Sequence, residues 1–257
     1  MSKRIDIESF SSTGCAGCRD GAPFPLAFSY AFQPIVNVKT RTTYAHEALV
    51  RGIGGEGALS ILSQITPANR YNFDQACRVK AVALAARLGM QEYLSVNFLP
   101  NAVYQAETCI RSTLAACREN DFPPSKLIFE VTEGEQVTSR EHLVSIFKAY
   151  RNMGFRTAID DFGAGYAGLG LLSQYQPNLL KIDMELVRGI ESDPAKQAIV
   201  DGIMLMSRRL DVTVIAEGIE TPAERDHLRS AGIDLMQGYL FCRPAFEALG
   251  VIDEAAW

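Results

Sequence analysis

Residues 28–52 read FSYAFQPIVNVKTRTTYAHEALVRG, two β-type runs, FSYAFQPIVNV and AHEALVRG, with about seven residues, KTRTTYA, between them. A parallel crossover needs about a dozen residues or more, so this pair reads as an antiparallel hairpin. Every later junction is long enough for a helix, which makes the hairpin the exception in the chain.

Six further runs follow: YLSVNFLP, LIFEVTE, RTAIDDFG, LLKID, VTVIAEGIE and LMQGYLF, eight in all. Amphipathic stretches such as 73–89, 140–154 and 195–210 lie between them, several closed by a glycine suited to a helix C-terminus. Strands alternating with helices argue for a parallel sheet. The predicted fold is therefore α/β, a TIM-like (β/α)8 barrel whose first strand runs antiparallel to the rest. An open doubly wound sheet is the alternative, but it normally carries a glycine-rich phosphate turn after its first strand, and PIVNVKTRT has none.

The chain has 257 residues and is 47% hydrophobic, enough for one barrel core. Residues 27–250 read as that barrel, 1–26 as a flexible extension carrying a CxxC, and 251–257 as a C-terminal tail. A formal charge of −5 argues against a duplex nucleic-acid partner. No segment reads as a membrane span or signal peptide, so the expected location is cytoplasmic. Six scattered cysteines suit reduced thiols. CAGC at 15–18 has metal or redox spacing but no third or fourth ligand, which leaves incidental thiols and a responsive element both open.

Polar residues recur at the strand ends: Glu47, Asn97, Glu130, Asp160 with Asp161, Lys181, Glu217 and Gln237. In a barrel the C-terminal strand ends converge on one mouth. Five carboxylates and an amide around one lysine would repel each other without cations between them. The donors are oxygens, with no His or Cys among them, which favours Mg²⁺ or Mn²⁺ over zinc. Two ions sharing an aspartate could activate water against a phosphodiester. One strand should not aim both Asp160 and Asp161 at one site; the expectation is that Asp160 ends the strand and Asp161 begins the loop.

EALVRG at 47–52, SVNF at 95–98, FEVTE at 129–133, IDDFGAGYAGL at 159–169, LKID at 180–183, VIAEGIET at 214–221 and QGYLFCRP at 237–244 resemble, in order, the motifs of the EAL-domain cyclic di-GMP phosphodiesterases. The resemblance implies hydrolysis of cyclic di-GMP to linear pGpG with two divalent cations, Mg²⁺ or Mn²⁺, and inhibition by Ca²⁺. It implies metal ligands Glu47, Asn97, Glu130, Asp160, Asp161 and Glu217. Lys181 would contact the attacking water, Glu217 would act near it as ligand or base, and Gln237 would position it. Gln33 and Arg51 would bind substrate, and Glu133 would anchor the loop after Asp161. That loop, with the helix beginning near Gly168, would also form a homodimer. Degenerate members of the family bind cyclic di-GMP or a protein partner without turnover, but here the positions carrying metal chemistry are filled. GYAGL stands where GYSSL is common, and the segment after EALVRG is short.

Overall fold

The computed structural model describes residues 22–132, 139–165 and 168–257. Cys15, Cys18 and Glu133 lie outside the described residues. β1 (Phe28–Asn37) and β2 (Thr42–Gly52) form the antiparallel hairpin. Its link is residues 38–41, shorter than the sequence suggested, because β2 starts three residues earlier. Asn37 Oδ1 accepts from the backbone N–H groups of Lys39 and Thr40, both at 3.0 Å, and Arg41 turns the chain at φ +54°.

β3 (Tyr93–Asn97), β4 (Leu127–Thr132), β5 (Arg156–Phe162), β6 (Leu179–Ile182), β7 (Thr213–Ala216) and β8 (Leu235–Met236) continue from β2 as parallel neighbours. β1 then pairs antiparallel with β8, which closes an eight-stranded barrel. The sequence reading of eight strands needs one correction: a ninth, β9 (Ala245–Phe246), adds to β1 at Phe32 and Ala31. Two residues are too few to leave a period-2 pattern.

The barrel interior has two layers. Ile35, Ala45, Ile128, Ala158, Leu179, Ile215 and Leu235 form a buried apolar floor. Two positions from each, on the same face of its strand, stand Gln33, Glu47, Glu130, Asp160, Lys181, Glu217 and Gln237. On β1 alone the polar residue precedes its floor partner, as its reversed direction requires.

The opposite faces of the strands pack on helices, chiefly α1 (Ala58–Leu62), α2 (Arg70–Arg87), α3 (Arg111–Glu119), α4 (Arg140–Asn152), α5 (Gly168–Leu172), α6 (Pro194–Leu210) and α7 (Pro222–Ser230). Side-chain caps start α4, α6 and α7. Ser139 accepts from His142 N–H to start α4, and Asp193 accepts from Ala195 and Lys196 N–H before Pro194 at the head of α6. Thr221 and Glu224 form a capping box on α7. The C-terminus packs on this scaffold: Ala256 is buried, Arg225 Nη1 donates to its carbonyl at 2.8 Å, and Trp257 lies against Phe241. No helix among the described residues is long and apolar enough to cross a membrane.

Candidate active site

The doubled aspartate is resolved by a bulge. β5 runs through Phe162, so Asp161 lies within the strand rather than starting the loop, which corrects the sequence expectation. The β5–β6 register slips between Ile159 and Phe162, and Asp161 stands at φ +55°, in the left-handed region. That inversion cancels strand alternation for one residue. Oxygens of Asp160, Asp161 and Glu217 then lie within 4.8 Å of one another. Gly163, at φ +105°, continues the turn where a side chain would meet Leu186.

Lys181 is fully buried at the centre of the polar layer. Its Nζ lies 2.8 Å from Glu217, 3.0 Å from Asp160, 3.1 Å from Glu130 and 3.3 Å from Glu47. One cation among four carboxylates leaves the cluster electron-rich in a dry setting. Burial, helped by Glu47 and Asp160 against the opposing pull of Lys181, pushes Glu130 up to about 8. Burial and then Asp160 push Asp161 up to about 6 and raise Glu217 well above the usual carboxylate range. Burial alone would lower Lys181, but Asp160, Glu130, Glu217 and Glu47 outweigh it and hold the ammonium.

Amides and a hydroxyl orient the acids. Asn97 Nδ2 donates to Glu47 Oε1 at 3.1 Å, and Gln237 Nε2 donates to Glu47 Oε2 at 2.8 Å and to Gln33 Oε1 at 3.1 Å. Ser95 donates to Glu130. Gln237 Oε1 is buried with no donor among the described residues. Glu47, Glu130 and Asp160 form a second set with oxygens within 4.8 Å of one another. Asp160 thus belongs to both sets. The chemistry of these donors, hard carboxylate oxygens with an adjacent amide, fits Mg²⁺ or Mn²⁺.

The mouth opens into a cavity of about 530 Å³. Gln33, Glu47, Asn97, Asp160, Asp161, Glu217 and Gln237 line it, while Glu130 and Lys181 sit below. Arg51 does not line it: its Nη1 donates back to the Val50 carbonyl at 2.8 Å. Four acidic or basic lining residues were not singled out from the sequence: Asp74, Asp183, Arg188 and Glu220. Asp74 Oδ1 accepts from Leu99 N–H at 2.9 Å, two residues past Asn97, and Oδ2 pairs with buried Arg78 at 2.6 Å. Asp183 belongs to LKID and caps the helical turn at Met184–Val187.

The EAL domain family profile matches residues 26–244. A cyclic di-GMP-bound standalone versatile EAL protein from Vibrio cholerae O395 superposes with a TM-score of 0.88 at 47% identity, covering 90% of this chain and 98% of that one. BlrP1 of Klebsiella pneumoniae, in a manganese and cyclic di-GMP complex, superposes with a TM-score of 0.82 at 37% identity, covering 90% of this chain and 60% of BlrP1. The antirepressor BluF of Escherichia coli, regulated by blue light and temperature, is 32% identical over 229 residues, 89% of this chain and 56% of BluF. The chain therefore spans about half the length of that relative. Other curated relatives, at 26% to 30% identity, bear the name of a cyclic di-GMP phosphodiesterase or a probable one.

Proposed function

The chain belongs to the EAL-domain family, and on that premise we propose that it is a metal-dependent phosphodiesterase that opens cyclic di-GMP to linear pGpG. The observation that carries this reading is the pair of acidic sets sharing Asp160, one with Glu47 and Glu130, the other with Asp161 and Glu217. Asn97, beside Glu47, completes the first set. Two divalent cations held there would lower the pKa of a bound water and offset charge on the scissile phosphodiester.

The protein groups have distinct tasks. Lys181 holds four carboxylates in place from beneath the cavity, and its positive charge would favour a hydroxide forming above them. Gln237 Oε1, buried and without a donor among the described residues, would accept from the attacking water and fix its orientation. Glu217, beside Asp160 and Asp161, would act next to the water as a cation ligand or as the base that takes its proton. Water would attack phosphorus in line, the bond to the ribose oxygen would break, and that oxygen would take up a proton from solvent while the one removed from the attacking water returns to solvent. Gln33 lies at the mouth to meet substrate, and Arg51 would reach a phosphate only by leaving the Val50 carbonyl.

Incubating pure protein with cyclic di-GMP and Mn²⁺ or Mg²⁺, with chromatography for pGpG, tests the reading. Product in the presence of metal is the expected result; none at any metal or pH, with binding intact, overturns hydrolysis. A second reading, binding without turnover, draws on the likeness to the antirepressor BluF. The proposal extends to a cytoplasmic location and to a homodimer through the loop after Asp161, part of which lies outside the described residues.

A further inference from the structure

The cavity is lined by carboxylates of Glu47, Asp74, Asp160, Asp161, Asp183, Glu217 and Glu220, and among its described lining residues Arg188 is the single basic side chain. Lys181 is sealed below by four acids, and Arg51 faces its own strand. An anionic ligand with two phosphates therefore meets one guanidinium on the cavity wall. Arg188 Nη2 lies 2.6 Å from Glu220 Oε1, with the two side chains 51% and 44% exposed. An exposed pair of this kind is only weakly held, so a phosphate can displace the carboxylate.

The backbone beneath the pair is far less free. The buried carboxylate of Glu224 accepts from Gly189 N–H at 2.9 Å through one oxygen and from Glu220 N–H at 2.9 Å through the other. One side chain thus ties the residue after Arg188 to Glu220 itself. Lys196 Nζ adds a bond to the Arg188 carbonyl at 2.7 Å. The result is a fixed base carrying two side chains that can rotate.

We propose that Arg188 is a substrate-binding residue that exchanges Glu220 for the phosphate of the cyclic dinucleotide that is not being cleaved. This rests on the cyclic di-GMP reading above. A planar guanidinium suits bidentate phosphate contact. Glu220 acts as an intramolecular competitor, which keeps the arginine aimed and weakens binding of ligands too poor in charge to displace it.

Equilibrium binding of cyclic di-GMP, measured by calorimetry with Ca²⁺ present and at several salt concentrations, tests this directly. R188A should bind about tenfold more weakly and with a flatter salt dependence, R188K should fall between, and E220Q should bind a few-fold more tightly. R188A within twofold of wild type at every salt overturns the assignment, as does a loss equal in E220Q and R188A. Wild type that binds but yields no pGpG sinks hydrolysis while the binding series still decides Arg188. Wild type that does not bind at all overturns both.

Discussion

Asp161 donates its backbone N–H to Oδ1 of Asp160 at 3.0 Å while standing at φ +55°, so the strand reverses its alternation between two adjacent acids. The conformation and the charge can be separated by substitution. Asn tolerates the left-handed region, so D161N keeps the bulge and removes the carboxylate. D161N should lose turnover by about a hundredfold or more and weaken binding of one metal, with thermal stability near wild type. D161V should in addition lose about 1–3 kcal/mol of stability, because a β-branched residue is strained there. Full activity in D161N, measured as pGpG formed, would break the account of two acidic sets.

Lys181 is the counterion of the acidic cluster, and its removal leaves Glu47, Glu130, Asp160 and Glu217 facing one another. Breaking a buried pair from one side costs about 3–5 kcal/mol. K181M should therefore unfold well below wild type in chelator. Mn²⁺ supplies positive charge to the same acids, so it should raise the melting temperature of K181M more than that of wild type. Equal metal shifts in the two proteins would mean that the lysine and the cations do not answer the same charge.

Much of this was legible because a barrel repeats one rule. On every barrel strand except β3 an apolar floor residue lies two places from a polar one, so the recurrence of Glu47, Glu130, Asp160, Lys181, Glu217 and Gln237 marks the mouth without any coordinates. The reversed order of Gln33 and Ile35 carries the same information about the first strand. Other features have no such signal. Nothing in IDDFG fixes φ at Asp161, and a strand bulge and a loop start look alike in sequence. Arg188 and Glu220 are 32 residues apart and meet through Glu224, whose capping-box role gives no hint that it also binds Gly189 N–H. Arg51 follows the alternation that puts it on the Glu47 side, but a long side chain can fold back on its own strand, as it does here.

Gly238 follows Gln237 and packs against the chain after Glu217. A Cβ there would lie 2.1 Å from the carbonyl oxygen and 2.3 Å from the nitrogen of Ile219. Both neighbours are backbone and hold the site: Ile219 N–H donates to the Gln237 carbonyl at 3.1 Å. G238A should cost about 1–3 kcal/mol or more by overpacking. Turnover should fall further than stability at a temperature where the variant stays folded, since displacement of Ile219 moves Gln237 and Glu217 together. A variant that melts like wild type and turns over normally would show that this junction yields easily.

Glu224 gives the fold a defined response to acid. Burial tends to raise its carboxyl, but hydrogen bonds from the backbone N–H groups of Glu220, Gly189 and Thr221 outweigh that and hold it below the usual carboxylate range. A depressed folded value means that the charged form stabilises the native state. Its contribution is complete above the unfolded value of about 4.3 and is lost as pH falls through the lower folded value. E224Q removes the charge but keeps the side-chain length, and should cost about 1–2 kcal/mol at pH 7, in the range for charge-assisted bonds. Denaturant titrations at pH 7, 5, 4 and 3.5 should show that deficit constant from 7 to 5 and shrinking below about 4.3 as wild type loses the same charge. A deficit that stays level down to pH 3.5 would assign the loss to packing of the capping box, and a deficit that widens in acid would reverse the sign assigned to Glu224.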